Sequence, residues 1–480
     1  MKYLIFMIWL IFSISVTNAE TYYVSNSNGN DSDSGRTAAL AWKTLSKVNS
    51  AKYVAGDSIL LKRGDTWFGQ LIPKSGSPEN HIFWGAYGAG NKPVIHESIL
   101  LSSGDWTNEG SGVWSTHSSN EIGNILFNSN ASVGWRKWSL KALVKQGDWC
   151  YDFRTDKVYL KSSLIPSAYY SNVRILLCNR IVELNGVNYG TFDNLDLRYS
   201  GYEGIGATSI STTGITITNC DISWCGGKMY TKHTRLGNGI GFWRNISNIL
   251  IENCRIFECY DAGITPQYTG KATGVIETNF TVRNCQIWNC EYGFEYFNRS
   301  NSGETSNFLI ENNTFYGCGL GWGHAQRPDP TGRALRLAGT PAKTKKFVIQ
   351  NNIFLQATDA LLSSYSAEMS YTIDYNCFHN TIGDIADINF KNISNFVNYK
   401  KMTGWDAHSI NSNPLLKSIS TLDFSLSSNS PAINAGNPDS TFDPDRTTRD
   451  IGYLYLHQHT PENYNKRQNQ NHKRKPEQSY

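Results

Sequence analysis

Asp261 and Glu291 each stand two residues before a glycine, in the matching segments Asp261-Ala262-Gly263-Ile264 and Glu291-Tyr292-Gly293-Phe294. Two carboxylates at one position of neighbouring copies suit glycoside hydrolysis, which needs an acid and a nucleophile or base. If the copies stack one strand rung apart, about 4.8 Å, their carboxyl groups fall near the roughly 5–5.5 Å separation of a retaining enzyme. Like charges that close raise one pKa and so separate the acid from the nucleophile. Glu295, four residues beyond Glu291, is a third candidate, although it equally suits a structural pair with Arg336. Asp261 and Glu291 also suit hydrogen-bonded turn caps, or a site for Ca²⁺, which prefers such oxygen ligands.

Cations gather in two stretches, KMYTKHTR at Lys228–Arg235 and HAQRPDPTGR at His324–Arg333, with Arg336 just beyond. That set suits β-elimination on a uronic acid, in which a base takes the proton beside the carboxylate and cations neutralise the growing enolate. Lys232, Arg327, Arg333 and Arg336 are the candidate cations, with Arg235 as a further substrate contact. His233, His324 or Tyr296 would move the protons. The departing group is then a sugar, as in a lyase, or water, as in a dehydratase.

The elements that position these groups repeat. TFDNLDLRYS, ITITNCDISWC, LIENCRIFEC, TVRNCQIWNC, LIENNTFYGC, VIQNNIFLQA and TIDYNCFHN share one position, held by Asn194, Asn219, Asn253, Asn284, Asn312, Asn351 and Tyr375. Neighbouring copies lie from 24 residues (Asn351 to Tyr375) to 39 residues (Asn312 to Asn351) apart, so the unit is constant and its loops are not. Apolar residues alternate with period two, as in Ile215 and Ile217, and no helical stripe is present. A unit that buries its apolar face only against its neighbours is a solenoid. Three short strands per coil make it an all-β parallel β-helix, and one Asn per coil predicts an amide ladder. Cys220, Cys254 and Cys285 follow the Asn directly, and Cys225, Cys259, Cys290 and Cys318 lie six after it. The expectation is two columns of buried, reduced thiols rather than a metal cluster, since no zinc spacing is present.

Each coil carries a second strand of the form Gly-apolar, beginning at Gly204, Gly239, Gly263 and Gly293. With the residue after Gly inward, alternation predicts outward glycines and, two residues on, an outward row containing Gly241, Thr265, Glu295 and Arg336. Trp243, Gln267 and Phe297 come next along the same face. Trp243 and Gln267 are substrate-binding candidates on this floor, which a sugar ring can approach closely. Insertions precede the strand at Gly226–Asn238 and Gly319–Arg333 and follow it at Tyr268–Thr278 and Asn298–Ser306, which frames a groove. Convergence of His233, His324, Arg333, Arg336 and Glu295 in that groove is expected.

The rest of the chain frames this unit. Residues 1–19 read as a secretory signal, with Lys2, an apolar run from Tyr3 to Val16 and a small-residue cleavage site at Thr17-Asn18-Ala19; a secreted or periplasmic, monomeric protein without membrane insertion is expected. The +4 formal charge lies partly in a polar tail, 456–480, expected to be disordered, and no nucleic-acid motif is present. An N-terminal cap and first coils occupy 20–96 and the main β-helix 181–455. Between them, 97–180 reads as an inserted antiparallel β-module whose Trp135 and Trp138 either fill its core or edge a sugar cleft.

TYYVSNSNGNDSDSG, GDSILLKRGDTW and GAYGAGNKPVI, with SPAINAGNPDS and RTTRDIGY near the C-terminus, resemble the opening and closing coils of the pectate-lyase-like superfamily. The resemblance implies a right-handed parallel β-helix and an exported, carbohydrate-related protein. The insertion is similar to those of β-helix β-xylosidases and α-L-fucosidases. GHAQRPDPTGRALRL and DAGITPQY resemble segments of exported β-helix proteins, an ulvan-oligosaccharide dehydratase among them. The NTD, DD, GHG and RIK patterns of polygalacturonases and the calcium-and-arginine signature of pectate lyases are absent, so the resemblance assigns no catalytic residue. The leading expectation is β-elimination on an acidic oligo- or polysaccharide, with Ca²⁺ possible but not required. A retaining glycoside hydrolase of the xylosidase or fucosidase kind is the alternative, and a non-enzymatic glycan-binding solenoid the third.

Overall fold

The computed structural model describes residues 18–208, 211–231, 233–338, 343–365 and 370–458. Residues 1–17 of the expected signal, Lys232 and the tail from 459 lie outside the described residues. Three sheets of ten, ten and nine strands run along the solenoid. One coil takes Ile276–Arg283 in the first sheet, Gln286–Trp288 in the second and Tyr292–Asn298 in the third. The next coil repeats this with Glu304–Glu311, Thr314–Cys318 and Arg333–Ala338. Pairing between coils is parallel and in register, so Phe280 faces Phe308 and Phe308 faces Phe347. The rings of that column sit 5.2 and 4.9 Å apart. Each fully buried Phe or Ile of this kind contributes about 1.5–3 kcal/mol, and one core cluster extends from Tyr22 to Tyr399.

The constant unit has a backbone cause. Asn194, Asn219, Asn253, Asn284, Asn312, Asn351 and Tyr375 all have φ between 52° and 59°. Five residues on, Tyr199, Trp224, Glu258, Asn289, Gly317 and Gln356 have φ between 52° and 65°. In six coils two left-handed residues five apart thus mark the strand of the second sheet and turn the chain at its two corners. Asn is the non-glycine residue that visits this region most readily.

The amide ladder therefore lies one residue beyond the expected column. Asn313 donates from Nδ2 to Oδ1 of Asn352 at 3.0 Å, and Asn352 to Asn376 at 3.1 Å. Each also donates to a carbonyl of the preceding coil, namely Val282, Ile310 and Ile349. In earlier coils the same position holds cysteine, and the thiols of Cys254 and Cys285 donate to the equivalent carbonyls of Ile217 and Ile251. Burial pushes the Cys220 and Cys254 thiols well up, which keeps them protonated. All ten cysteines are buried and free.

Both ends are closed by helices. Leu45–Ser50, capped by Thr44, buries Leu45 and Val48. Phe396–Thr403, capped by Asn395 and ended by left-handed Gly404, buries Phe396 and Tyr399 against Phe378. Between Ser98 and Leu177 the solenoid is interrupted by a four-stranded and a five-stranded sheet, mainly antiparallel, around a core that includes Trp106 and Trp149. No helix among the described residues is long and apolar enough to cross a membrane.

Asn352→Ala should leave the Ile310 carbonyl without its side-chain donor and the Asn313 backbone and side-chain amides without their acceptor. A loss of about 2–3 kcal/mol is expected, read as a lower urea midpoint with unchanged far-ultraviolet circular dichroism. An unchanged midpoint would remove the ladder from the account of stability.

Candidate active site on the third sheet

Register on the third sheet fixes what faces outward. Ile264 pairs with Phe294 and Phe294 with Leu335 on the buried side. On the outer side Gly241 pairs with Thr265, Glu295 with Arg336, and Arg336 with Ser363. The strand-opening glycines do not share that outer face as expected. A Cβ on Gly204, Gly239, Gly263 or Gly293 would come within 2.5–2.6 Å of Ile222, Ile256, Ile287 or Phe315 in the core. They are glycines because the chain turns tightly against those side chains as it enters the sheet.

Above this face the loop 319–332 folds over and delivers Arg327. Its Nη1 donates to Oδ1 of Asp261 at 2.9 Å and to the Tyr260 carbonyl at 3.3 Å. Its Nε lies 3.7 Å from Oε1 of Glu291, and its guanidinium packs over the rings of Tyr260 and Tyr292. The Glu291 amide donates to the Asp261 carbonyl at 3.0 Å, so the two acids sit on adjacent coils as their spacing predicts. A guanidinium occupies the position expected for Ca²⁺, so the pair is filled by this chain's own cation. No group of three metal-ligating side chains exists among the described residues.

Glu291 is fully enclosed. It accepts from the Thr331 amide at 2.6 Å and pairs with Nδ1 of His324 at 3.0 Å. This departs from its expected catalytic role, because both oxygens are already bonded to the loop. A carboxylate beside Nδ1 requires the ring proton there, which leaves His324 Nε2 as the acceptor in the neutral ring. Tyr292, absent from the sequence candidates, donates or accepts a hydrogen bond with Thr331 and lies under both Arg327 and Arg336. Its position directly before Gly293 is the signal that marks it.

Glu295 accepts from Nη1 of Arg336 at 2.9 Å, the pair that the register implies. Burial pushes its carboxyl up to about 7; the Asp261 charge adds to the rise, and Arg336 and Arg327 oppose it. Each of Asp261 and Glu295 thus has one oxygen held by arginine, while Asp261 Oδ2 and Glu295 Oε2 accept no hydrogen bond among the described residues.

Other expectations fare differently. Tyr296 points inward, stacked edge-on to Phe308 and Phe347 with its hydroxyl on Thr305, because alternation places it opposite Glu295. It is a core residue and not a proton carrier. Arg235 is 3% exposed. It lies over Tyr260 with Nη2 on Gln326, and burial lowers it to about 10. It supports the loop from beneath and is no substrate contact. Arg333 is fully engaged by Asp359, Asp387 and Tyr365 on the following coils, so it too makes no open contact. Trp243 donates from Nε1 to Glu203, and Gln267 is buried beside it in the outward row. His233 is exposed and edge-on to Trp138 at 5.1 Å. Of the five residues expected to converge, Glu295 and Arg336 meet on the floor, while His324 is held above it on the loop by Glu291.

Gln326 ties three parts of the chain together. Its amide nitrogen donates to the Gly134 carbonyl at 3.0 Å, and its oxygen accepts from the Arg136 amide and from Arg235. The inserted module is thereby docked on the loop that carries His324 and Arg327. Nothing in the sequence around Gln326 distinguishes it, since a side-chain clamp between distant loops has no spacing pattern.

Residues 158–326 match the family model described as right handed beta helix region. A lacto-N-biosidase of Bifidobacterium longum subsp. longum is 34% identical over 96 residues, 18% of this chain and 6% of that protein. The match therefore spans a small fraction of that relative's length. Similar solved structures include XylC in complex with xylose, at 12% identity over 76% of each chain with a TM-score of 0.47. The GH136 lacto-N-biosidase of Eubacterium ramulus is 15% identical, with 82% of this chain and 67% of that one covered and a TM-score of 0.42. Pectate lyase Pel9A is 15% identical, with 92% and 97% covered and a TM-score of 0.41. By its coil order, and with the match over 158–326, the chain folds as a right-handed parallel β-helix.

Proposed function

We propose that the chain is an exported carbohydrate-active enzyme that hydrolyses a glycosidic bond on the outer face of the third sheet. The observation that carries this is the pair Asp261 and Glu295 on adjacent coils of one face, each with one oxygen on an arginine and one without a partner among the described residues. Glu295, with its carboxyl pushed up to about 7, is the acid that protonates the departing oxygen. Asp261 is the carboxylate that meets the positive charge developing at the anomeric carbon. Water adds its oxygen to that carbon and its proton returns to a carboxylate, so one water is consumed for each bond broken. The 34% identity to a lacto-N-biosidase segment supports a glycan substrate, and Lys2 with the apolar run behind it supports export.

The cations bear on the choice of reaction. Elimination needs positive charge free to meet a uronate, yet Arg327 is paired with Asp261 and Arg333 with Asp359 and Asp387, and Arg336 already holds the Glu295 carboxyl. One observation keeps elimination as a second reading: His324 is paired through Nδ1 with Glu291, and Arg336, over the Tyr292 ring, stays part-exposed. Incubation with lacto-N-tetraose, xylotetraose and tetragalacturonate separates the two. Hydrolysis gives products heavier by one water with no new ultraviolet absorbance; a conjugated double bond with new absorbance overturns the proposal in favour of elimination.

Glu295→Gln should lower kcat by about 10²–10⁴-fold with little change in KM. In the parent enzyme kcat should fall as pH rises through about 7, where the acid loses its proton. A rate independent of pH between 6 and 8 (an approximate window about that value) would contradict the assignment. The same shift has a stability sign. The folded chain keeps a proton that the unfolded chain releases near 4.5, so this group's stabilisation is complete below 4.5 and is lost as pH rises through about 7.

Arg327→Gln leaves Asp261 and Glu291 buried without their shared counter-charge. A destabilisation of about 3–5 kcal/mol is expected by urea titration, with activity lost even at temperatures where the chain remains folded. A stable, active variant would contradict the role of this guanidinium.

A further inference from the structure

The cleft between the inserted module and the loop 319–332 is not absorbed by the carboxylate chemistry. It is an open depression of about 420 Å³, lined by Trp135, Trp138 and His233 on one side and by Gln326, Arg327 and Pro328 on the other. Cavities of this size hold small ligands. The tryptophans are not the module's core, which Trp106 and Trp149 fill at 7% and 0% exposure. Trp135 and Trp138 remain 45% and 38% exposed, an unfavourable placement for two large apolar rings unless something covers them.

The Trp138 ring is nonetheless fixed in place. Arg136, between the two tryptophans in sequence, lies 5.1 Å from the Trp138 ring and is anchored by Glu121, by the carbonyls of Ile122 and Gly227, and through its own amide by Gln326. The far wall is equally firm, because Arg327 is bound to Asp261. Its Nη2 donates to no protein group among the described residues, so the guanidinium presents a free donor while its charge is matched.

We propose that this cleft is a sugar subsite, which binds one neutral pyranose ring of the substrate against Trp135 and Trp138, one guanidinium away from Asp261. The proposal rests on the glycoside-hydrolase reading above. Apolar C–H faces of a pyranose pack on indole rings, and its hydroxyls take the Arg327 donor and His233. A neutral ring is favoured over a uronate because both arginines that border the cleft are already paired, Arg136 with Glu121 and Arg327 with Asp261. An uncompensated carboxylate placed there would lose its hydration without gaining a counter-charge.

The test uses the full-length E295Q protein, in which binding is read without turnover. Xylotetraose, lacto-N-tetraose and tetragalacturonate are titrated while tryptophan fluorescence and ligand-observed NMR are followed. One neutral tetrasaccharide should bind and perturb the fluorescence, and Trp138→Ala in the same background should weaken it at least tenfold. Trp135→Ala, at the more exposed ring, is the second variant should loss of the Arg136 contact at Trp138 impair folding. In the active chain, Trp135→Ala should raise KM with kcat nearly unchanged. Binding of tetragalacturonate alone, binding indifferent to both tryptophans, or no binding of either neutral probe at millimolar concentration each overturns the proposal. The two readings fail separately. If E295Q is inactive while the tryptophan variants bind normally, the subsite falls and the acid stands. If the tryptophan variants lose binding while E295Q still turns over, the subsite stands and the acid falls.

Discussion

Coil-on-coil registry is the constraint from which the rest follows. Each coil buries its inward residues only against the coil before and after it, so one slipped residue would send an entire apolar face outward. Two devices hold the register at the corner between the first and second sheets. A left-handed residue such as Asn284 or Asn312 makes the turn. The next side chain, thiol or amide, then bonds a carbonyl of the preceding coil. Cysteine and asparagine are chemically unlike, but both are compact donors that fit the same small space. The column can therefore change from Cys220, Cys254 and Cys285 to Asn313, Asn352 and Asn376 without disturbing the stack.

The site is built by letting that register run while the loops vary. Strand pairing places Glu295 beside Arg336 with no contribution from any loop. The loop 319–332 then adds Arg327 across Asp261 and Glu291, and Gln326 fastens the module to the same loop. The carboxylates do not all serve one purpose. Glu291 is spent on the loop and His324, and that leaves Asp261 and Glu295 with oxygens turned to the groove. Clustering several charges in a buried setting is costly unless each is paired, and the alternation of acids with arginines across coils meets that requirement. It also leaves little net positive charge on the floor, which separates the substrate expected of this structure from the acidic polymer suggested by the Arg- and His-rich loops alone.

Much of this was legible in the chain itself. Period-two alternation and the recurring Asn-x-x-apolar unit identify the solenoid, and the paired glycine segments identify the strands that Asp261 and Glu291 lead into and that carry Glu295. What could not be read was which way a residue faces where the strand enters its turn. Gly263 and Gly293 face inward although alternation from Ile264 and Phe294 suggested the opposite, because tight turns break the period. Adjacent residues with similar chemistry also have opposite fates: Glu295 is outward and Tyr296 is in the core. Nor does spacing reveal that Arg235 and Arg333 are consumed by other protein groups, since pairing between coils dozens of residues apart depends on loop paths that no local pattern encodes. The same holds for Gln326, an unremarked residue in the sequence and the anchor of the module in the fold.

The most direct test of the account is a crystal structure of the E295Q protein holding an uncleaved oligosaccharide. The scissile glycosidic oxygen is expected within hydrogen-bond distance of the side chain at position 295, with the anomeric carbon facing Asp261 and a sugar ring against Trp135 or Trp138. An oligosaccharide bound on the first or second sheet, or lying on the third sheet with its scissile bond remote from both carboxylates, would contradict it.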